Sequence, residues 1–468
     1  MAQPILPLSL QRDSGQSLVS QLANQVRELV RTGVLTPGDR LPSIRALAAD
    51  LTIARAGVEQ AYDQLIAEGW LAARQGAGTY IAEVGRLPVT VAPLVRPVRS
   101  LRHAESAPIR LDTGTPWMDP RHEAGWRRAW RDVSATRIPS GYPDPAGLAE
   151  LRTELAGYVS RTRGLPCGPE DVLVTGGTTH GFGLLLDILG EGAIAIEDPG
   201  YRAAAAVTEQ TGRAVIDVRV DQEGLDVAAL RTSRADIRAV YVTPAHQHPL
   251  GMTMSAARRI ALLAEATRRG AWVVEDDYDS EFRYDVAPLP ALAALDRDRV
   301  IYLGSASKSV HPGLRIGWLI GPADLVAAIS ARRAARHDHP PWPVQRAFLT
   351  MLRAGHLDKL VRSARRVYAE RSAIVARALA PYGQIGSPPA GMYLTVPLPG
   401  PVADAVHEEC WQAGFDVPSL ADYSRSCGMT GLVVGFGGLT DSEFSRALDV
   451  LRAALARIPG AAGAGTSS

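Results

Sequence analysis

The sequence contains very little lysine and cysteine. Only two of its 50 basic Lys and Arg residues are lysines, Lys308 and Lys359. The three cysteines, Cys167, Cys410 and Cys427, are far apart and odd in number, which excludes a disulfide framework and gives no zinc-binding spacing. Such a chain suits a reducing compartment, so we expect a cytoplasmic protein.

Long apolar runs and a strong charge of one sign are also missing. No stretch reaches membrane-spanning length without charged residues, and the first ten residues lack the basic start and apolar core of a signal peptide. The net charge of +1 excludes a generally basic or acidic chain but leaves room for local anion-binding patches. With 468 residues, the chain is long enough for two or three domains. We therefore expect no membrane association.

The first eighty residues have the pattern of three helices followed by a hairpin. Apolar residues recur at helical spacing in 17–32, and further helices are predicted over 44–51, with Ser43 as N-cap, and from about 54 to 69. Residues 69–81 are typical of two short strands around a glycine-rich tip. The arrangement predicts a winged helix-turn-helix domain, although periodicity alone suits a three-helix protein-interaction domain equally well.

The arginines of this head are concentrated where a DNA duplex would lie. Residues 1–83 contain seven arginines and eight acids, so the head is not basic as a whole. A recognition helix presents its first turn to the bases, which makes Arg55 a candidate for base or phosphate contact. Ser43 and Gly76 suit contacts to the DNA backbone. The other candidate DNA-binding residues are Arg40, Arg45 and Arg74.

Several motifs of the head occur in the order found in a known family. The sequence PGDRLPSIRALA at 37–48, followed by 61–71 and 76–80, resembles the DNA-binding domain of GntR-type transcription regulators. The resemblance covers residues 15–82. It implies that the head, assigned to 1–83, binds a double-stranded DNA operator.

Residues 84–108 separate the head from the rest of the chain. This stretch is rich in Pro, Val and Arg, and repeated prolines favour an extended, semi-rigid tether. Its arginines could also contact DNA phosphates, but a solvated spacer is the simpler interpretation. We expect a linker at 84–108, a large domain at 109–460 and a disordered tail at 461–468.

From about residue 109, short apolar strands alternate with amphipathic helices. The pattern predicts an α/β domain with a mostly parallel sheet and helices on both faces. Ligands of such sheets bind at the carboxyl ends of the strands, where the polar motifs of this sequence lie. The predicted strands are 172–175, 193–196, 215–218, 239–242, 271–274, 300–303 and 316–320.

Four of these strand-end motifs carry candidate chemistry. Residues 174–182 form a glycine turn into a helix that begins near Thr178, which is typical of a phosphate-binding helix N-terminus. The clustered acids of 273–283 suggest a cationic ligand or a tight polar network, and 197–201 places an aromatic ring at another strand end. The polar turn 241–251 contains histidines beside prolines, which we do not interpret as a metal site.

The stretch around Lys308 connects these motifs. It follows an apolar strand and two serines, and it lies seven residues before Arg315. A lone lysine is ordinarily a solvated loop residue, yet a lysine can lose its proton and form an imine, which arginine cannot. A phosphate cradle, an aspartate, an aromatic ring and a lysine are together what pyridoxal 5'-phosphate requires. The alternative is a set of unrelated strand-end loops.

The large domain resembles a fold-type I aminotransferase over residues 110–455, and with its GntR-type head the whole chain resembles the MocR/GabR group of transcription regulators. The resemblance implies an imine at Lys308, a contact from Asp276 to the pyridine nitrogen, and one from Tyr278 to the phenolic oxygen. It also implies ring stacking by Tyr201, phosphate contacts from Gly177, Thr178, Ser305 and Arg315, and a phosphate contact from Tyr142 to the neighbouring subunit of a homodimer.

Two positions depart from the family pattern. His248 stands where these regulators usually carry an aromatic residue and aminotransferases an asparagine, so an imidazole would meet the phenolic oxygen of the cofactor. Residues 431–437 lack the arginine that binds the substrate carboxylate in many aminotransferases, with Val433 near that place. Arg425 is the candidate replacement for binding an effector carboxylate.

The resemblance implies a cytoplasmic transcription regulator, bound to the nucleoid when it binds DNA. It would sense a small amine, an amino-acid-like effector or pyridoxal phosphate itself through the imine of Lys308, provided that each state binds the ligand differently. The alternative is a working aminotransferase with an accessory head. Catalysis has no need of residues 1–82, which favours the regulator, and a purely structural protein would not explain Lys308.

Overall fold

The chain divides into two compact units, which separate near residue 102. A computed structural model describes residues 6–12, 14–74, 78–83, 108–284, 289–383, 385 and 390–458. The predicted linker, apart from residue 108, and the predicted tail at 461–468 lie outside the described residues, so the domain boundaries stay predictions. None of the described helices is long and apolar enough to cross a membrane.

The head consists of three helices and a β-hairpin. The helices are α1 (Leu18–Arg31), α2 (Ile44–Asp50) and α3 (Arg55–Ala67), and the hairpin strands are β1 (Leu71–Arg74) and β2 (Gly78–Ile81). Ser43 caps α2 as predicted, since its hydroxyl accepts the backbone N–H of Ala46 at 3.2 Å. The antiparallel hairpin pairs Arg74 with Gly78.

The apolar faces of α1 and α3 form the core of the head. Leu22 and Val26 of α1 are fully buried, as are Val58, Ala61 and Leu65 of α3. This spacing of three and four residues places each set on one side of its helix, where burial of apolar area stabilises the packing.

The large unit alternates helices and strands. Its helices are α4 (Glu123–Ala135), α5 (Ala149–Arg163), α6 (Thr178–Leu186), α7 (Arg202–Gln210), α8 (Val227–Thr232), α9 (Ala256–Arg269), α10 (Ala323–Ala335), α11 (Trp342–Arg353), α12 (His356–Leu379), α13 (Gly400–Gln412) and α14 (Asp441–Arg457). Its strands are β3 (Ile109–Arg110), β4 (Val172–Thr175), β5 (Ala193–Asp198), β6 (Val215–Asp221), β7 (Gly224–Leu225), β8 (Ile237–Val242), β9 (Trp272–Asp277), β10 (Val300–Ser305), β11 (Gly317–Ile320), β12 (Tyr393–Pro397), β13 (Phe415–Asp416) and β14 (Gly431–Gly435).

An eight-stranded sheet with the order β4-β11-β10-β9-β8-β5-β6-β7 forms the centre of this unit. The neighbours from β10 to β6 are parallel, whereas β11 runs antiparallel to both β4 and β10, and β7 antiparallel to β6. The predicted mostly parallel α/β sheet is confirmed. The carboxyl ends of β4, β5, β8, β9 and β10 therefore meet at one edge.

Helices cover both faces of the sheet. Along β4, Val172 and Val174 pack into one core with residues of α5 and α11, while Leu173 packs into another with residues of α6 and α10. Successive side chains of a strand point to opposite faces, so a strand buried on both sides is continuously apolar. A third core joins α12, α13 and α14 to the pair β12–β14, and this C-terminal layer also contacts β3 through β13.

Candidate functional site

A cavity of about 650 Å³ lies at the edge where the carboxyl ends of the central strands meet. Most of the cofactor-binding residues predicted from the sequence line it, although they come from five different strand ends. They are Gly177, Thr178, Tyr201, His248, Asp276, Tyr278, Ser305, Lys308 and Arg315. The topology of the sheet brings these distant segments together.

Lys308 lies in the loop directly after β10. Burial lowers the pKa of its ammonium group below the usual value, and the negative charges of Asp112, Asp279 and Asp276 oppose this shift. Its Nζ donates a hydrogen bond to the carbonyl oxygen of Gly114 at 2.9 Å. Imine formation needs the neutral amine, so the lowered pKa suits a lysine that reacts with an aldehyde.

Asp276 is the last residue but one of β9 and is buried. Its Oδ2 accepts a hydrogen bond from the hydroxyl of Tyr241, while its buried Oδ1 has no donor at hydrogen-bond distance among the described residues. The hydroxyl of Thr178 is a further, weaker donor toward this carboxyl. Burial raises the pKa of this carboxyl to about 7. A buried carboxylate oxygen without a donor is costly, so this atom fits an N–H group of a bound ligand, such as a protonated pyridine nitrogen.

The start of α6 and Arg315 form an anion site on the same cavity. Gly177 precedes α6 with a φ of +114°, and a Cβ placed there would lie 3.5 Å from Nη2 of Arg315. Arg315 itself has a left-handed φ of +49°. The hydroxyl-bearing Thr178 and Ser305 line the wall beside them. A helix N-terminus next to a guanidinium group suits a phosphate, so the donor set of the cavity fits pyridoxal phosphate.

Two tyrosines form part of the cavity wall. The hydroxyl of Tyr201 lies 3.1 Å from Oγ1 of Thr179, which fixes its ring at the start of α7. The hydroxyl of Tyr278 donates to the carbonyl oxygen of His246 at 2.9 Å and lies 2.7 Å from that of Tyr393. Both rings are therefore positioned by protein contacts.

His248 is buried among aromatic rings. The rings of Tyr201, Tyr278, Tyr393 and Tyr423 meet it edge-on, with centroids 5.2 to 5.8 Å away. Its Nε2 lies 3.3 Å from the hydroxyl of a threonine, and its buried Nδ1 has no partner in the described parts of the chain. Burial and, to a lesser degree, the charge of Lys308 lower the pKa of the imidazole to about 3. His248 therefore presents a neutral ring.

Two residues predicted to act at the site do not line this cavity. Tyr142 is exposed and stacks on His339 with ring centroids 5.2 Å apart. Its predicted contact concerns a neighbouring subunit and stays a prediction. Arg425 pairs instead with Asp217 at 2.8 Å and Glu209 at 2.9 Å, so these ion pairs would have to break before its guanidinium could bind an effector.

The candidate DNA-binding residues within the described part of the head are exposed. Arg55 is the first residue of α3, and Arg45 lies on α2. Arg74 lies over the ring of Tyr80 at 4.8 Å in the hairpin. The other exposed candidates are Arg40 and Ser43, whereas Gly76 lies outside the described residues.

Several residues that the sequence did not single out also line the cavity. Arg202 begins α7 and lies over the ring of Tyr423 at 5.4 Å. Asp112 and Gly114 belong to a polar turn that directly follows β3. Because this turn follows a strand, attention to strand ends would also have found it. Tyr423 ends a short 3-10 helix (Leu420–Tyr423) far away in the sequence, and no local pattern indicates its role.

Comparisons with known proteins agree with this architecture. Residues 109–423 match the family model for aminotransferase class I and II, and residues 18–81 match that for bacterial regulatory proteins of the gntR family. The chain is 35% identical to the HTH-type pyridoxine biosynthesis transcriptional regulator PdxR of Corynebacterium glutamicum, over 98% of this chain and 99% of the relative. It is 31% identical to the probable rhizopine catabolism regulatory protein MocR of Rhizobium meliloti, over 96% and 95% of the two chains.

Solved structures with a similar fold are aminotransferases. An archaeal alanine:glyoxylate aminotransferase shares 27% identity with a TM-score of 0.67, covering 74% of this chain and 90% of that one. The α-aminoadipate aminotransferase LysN from Thermus thermophilus shares 25% identity with a TM-score of 0.66, covering 75% and 94%. The resemblance predicted from the sequence is thus confirmed, and the fold implies dependence on pyridoxal phosphate. The chain belongs to the MocR-type regulators of the GntR family, in which a DNA-binding helix-turn-helix head is joined to an aminotransferase-like domain.

Proposed function

We propose that this regulator binds pyridoxal phosphate through Lys308 and uses the state of that lysine to report a ligand to its DNA-binding head. The observation that carries the proposal is the pairing of two groups in one cavity. Lys308 offers an amine whose pKa is lowered by burial, and Asp276 offers a buried carboxylate oxygen that has no donor at hydrogen-bond distance in the described parts of the chain. A lysine with a purely structural role would need neither a lowered pKa nor a buried carboxylate in the same cavity.

Each group of the cavity wall has a role toward the cofactor. When bound, pyridoxal phosphate supplies an aldehyde that condenses reversibly with amines. Asp276 would accept a hydrogen bond from the pyridine nitrogen, and Arg315 with the start of α6 would hold the phosphate. The ring of Tyr201 would lie against the cofactor, and His248 and Tyr278 would face its phenolic oxygen.

The effector that we propose first is pyridoxal phosphate itself, with a small amine or amino-acid-like molecule second. The relative from Corynebacterium glutamicum is named as a regulator of pyridoxine biosynthesis. In addition, Val433 is fully buried among apolar and aromatic side chains that include Leu250 and Tyr393. Valine carries no charge, so residue 433 cannot bind the carboxylate of an amino acid as an arginine would. This favours an effector that does not depend on such a contact.

The regulator acts, in this proposal, as a cytoplasmic homodimer on a DNA operator. Tyr142 is exposed on the large unit, where it is accessible to a second copy of the chain. Two heads would then bind two half-sites, and Arg55 at the start of α3 would contact a base or phosphate. The protein would be associated with the nucleoid while bound.

The test compares wild type with Lys308→Ala and with Lys359→Ala, which alters the other lysine. A genome-wide map of bound DNA first identifies the operator. Wild type and Lys359→Ala should then show the absorbance band of a protonated imine and a change of operator affinity when pyridoxal phosphate is added. Lys308→Ala should show neither. Retention of the band in Lys308→Ala would refute the assignment of the site.

A working aminotransferase is the second candidate, favoured by the class I and II match over 109–423. Purified protein mixed with amino donors and keto acids distinguishes the two. Sustained turnover with an operator affinity that never responds to ligand would establish the enzyme instead of the sensor.

A further inference from the structure

A polar turn at 112–115 lies directly against the site lysine. Oδ1 of Asp112 accepts the backbone N–H groups of Gly114 at 2.7 Å and Thr115 at 2.8 Å, which fixes the shape of the turn. Nζ of Lys308 donates to the carbonyl oxygen of Gly114 at 2.9 Å. The lysine that we propose to react with an aldehyde therefore also forms a hydrogen bond to this turn.

The residues on both sides of the turn are attached to the C-terminal layer. The backbone N–H of Leu111 donates to the carbonyl oxygen of Asp416 in β13 at 2.8 Å. Gly435 of β14 lies so close that a Cβ there would overlap the carbonyl oxygen of Asp112. Beyond the turn, the N–H of Trp117 donates to a tyrosine hydroxyl of α12 at 2.7 Å. The turn is therefore attached to the C-terminal layer on both sides.

Among the residues that the structure describes, two hydrogen bonds join the tip of the turn to segments that follow strands of the central sheet, and the carboxylate of Asp112 adds a charge attraction to Lys308. One contact is the bond between Lys308 and Gly114, and the other joins the hydroxyl of Thr113 to Nε2 of His248 at 3.3 Å. The first involves a charged donor, and such hydrogen bonds are stronger than neutral ones. Lys308 is thus the stronger of these two connections between the C-terminal layer and the sheet.

Condensation with an aldehyde changes what Lys308 can donate. A free ammonium group has three N–H donors. When the neutral amine condenses, its two hydrogens leave with the carbonyl oxygen as water, and the nitrogen becomes bonded to the aldehyde carbon. The imine nitrogen would then carry no hydrogen, and after taking up one proton from solvent it would have a single N–H in place of the three donors of the ammonium group. The carbonyl oxygen of Gly114 loses the donor that could turn toward it.

We propose that the turn 112–115 responds to the bonding state of Lys308. A free Lys308 ammonium fastens the turn to the sheet, and condensation of Lys308 with an aldehyde releases it. The inference rests on the proposed function, because it assumes an imine at this lysine. In the sequence, the turn follows shortly after residues 84–107, which connect the head to the large unit. Release of the turn therefore loosens the beginning of the large unit.

Hydrogen–deuterium exchange of the full-length protein tests the proposal on peptides that cover 109–117. In the cofactor-free state, Lys308→Ala should exchange the amides of the turn about tenfold faster than wild type, because a bond from a charged donor is lost. Lys359→Ala should exchange like wild type. Adding pyridoxal phosphate should accelerate exchange of the turn in wild type and leave Lys308→Ala unchanged. Peptides of the buried strands β5 and β8 in the large unit serve as the internal reference for folding.

The same samples separate this inference from the proposed function. If the imine absorbance band forms in wild type while the turn keeps its cofactor-free protection, the inference is wrong and the cofactor site stands. If cofactor-free Lys308→Ala exchanges like wild type, the bond to Gly114 does not hold the turn and the inference is again wrong. If no band forms, the proposed function fails, and the cofactor-free comparison still decides whether Lys308 fastens the turn.

Discussion

The head and the large unit present their candidate functional residues in opposite ways. In the head these residues are exposed arginines on neighbouring short elements, such as Arg45 on α2 and Arg55 on α3. In the large unit most of them are buried or half-buried groups from remote segments, with Arg315 exposed, and Lys308 and Gly114 are 194 residues apart. A polyanion is attracted by exposed cations with little help from the fold, whereas buried acids and amines acquire their chemistry from the fold itself.

The difference predicts that the two regions respond to different perturbations. Substitutions in the head should change affinity for DNA and little else, because exposed side chains contribute little to stability. Substitutions in the cavity should change protonation and ligand binding together. Three experiments test this contrast.

The largest effect is expected for Asp276→Asn in the cofactor-free protein. Burial raises the pKa of Asp276 to about 7 in the folded state, while an unfolded aspartate titrates near about 4. Because the folded pKa is the higher one, the stability that this carboxyl contributes is complete below about pH 4 and is lost as the pH rises through about 7. Asparagine does not titrate. The free energy of unfolding of Asp276→Asn relative to wild type should therefore rise by about 2–3 kcal/mol between about pH 5 and pH 8.

Urea titrations at the two pH values measure this difference. Asp298→Asn is the matched control, because it makes the same change of side chain at an exposed position. Parallel pH profiles for Asp276→Asn and wild type would show that the carboxyl is not held neutral by burial, and the contrast with the head would lose its main support.

A smaller effect is expected for Arg55→Ala in the head. Loss of one contact to a base or phosphate should weaken operator binding about tenfold at fixed salt. Gel-shift titration measures the affinity, and the imine absorbance band should stay unchanged because the cavity lies in the other unit. Arg31→Ala serves as the control, since Arg31 pairs with Glu28 at the end of α1. An unchanged affinity in Arg55→Ala would mean that α3 does not present its first turn to DNA.

The smallest effect is expected for Arg425→Ala. Its guanidinium pairs with Asp217 and Glu209 outside the cavity, and partly exposed ion pairs contribute less than about 1 kcal/mol. Thermal unfolding should shift little, and the response to effector should persist. Arg315→Ala, by contrast, should lose affinity for the cofactor. An abolished effector response in Arg425→Ala would show that this arginine reaches the ligand after all.

Local pattern predicted the elements of both units well. The spacing of apolar residues placed α1 and α3 with their buried faces, and strand-end polarity directed attention to Asp276 and Lys308 before their positions were known. These features depend on residues within one or two turns of each other, so they are visible in the sequence. The reversed direction of β11 is not visible, because alternation of side chains is the same in parallel and antiparallel strands.

The environment of the site residues depends on tertiary packing. The sequence predicts that His248 faces a cofactor oxygen. It does not predict that the imidazole is neutral, because this state arises from burial among rings that include Tyr393 and Tyr423, which come from distant segments. Arg425 was expected to bind a carboxylate, and the carboxylates that it meets are those of the protein itself. A sequence pattern identifies residue types that can do chemistry, whereas the identity of their partners follows from topology.

The carboxylate of Asp198 at the end of β5 has a consequence for the synthesis of the protein. It accepts the backbone N–H groups of Arg425, Ser426 and Cys427 at 2.7–2.8 Å, across 227 to 229 residues of sequence. These bonds fasten the loop that follows Tyr423, a residue of the cavity wall. A growing chain that has completed the central sheet therefore still lacks one wall of its cavity. The site becomes complete only when residues 423–427 have emerged from the ribosome.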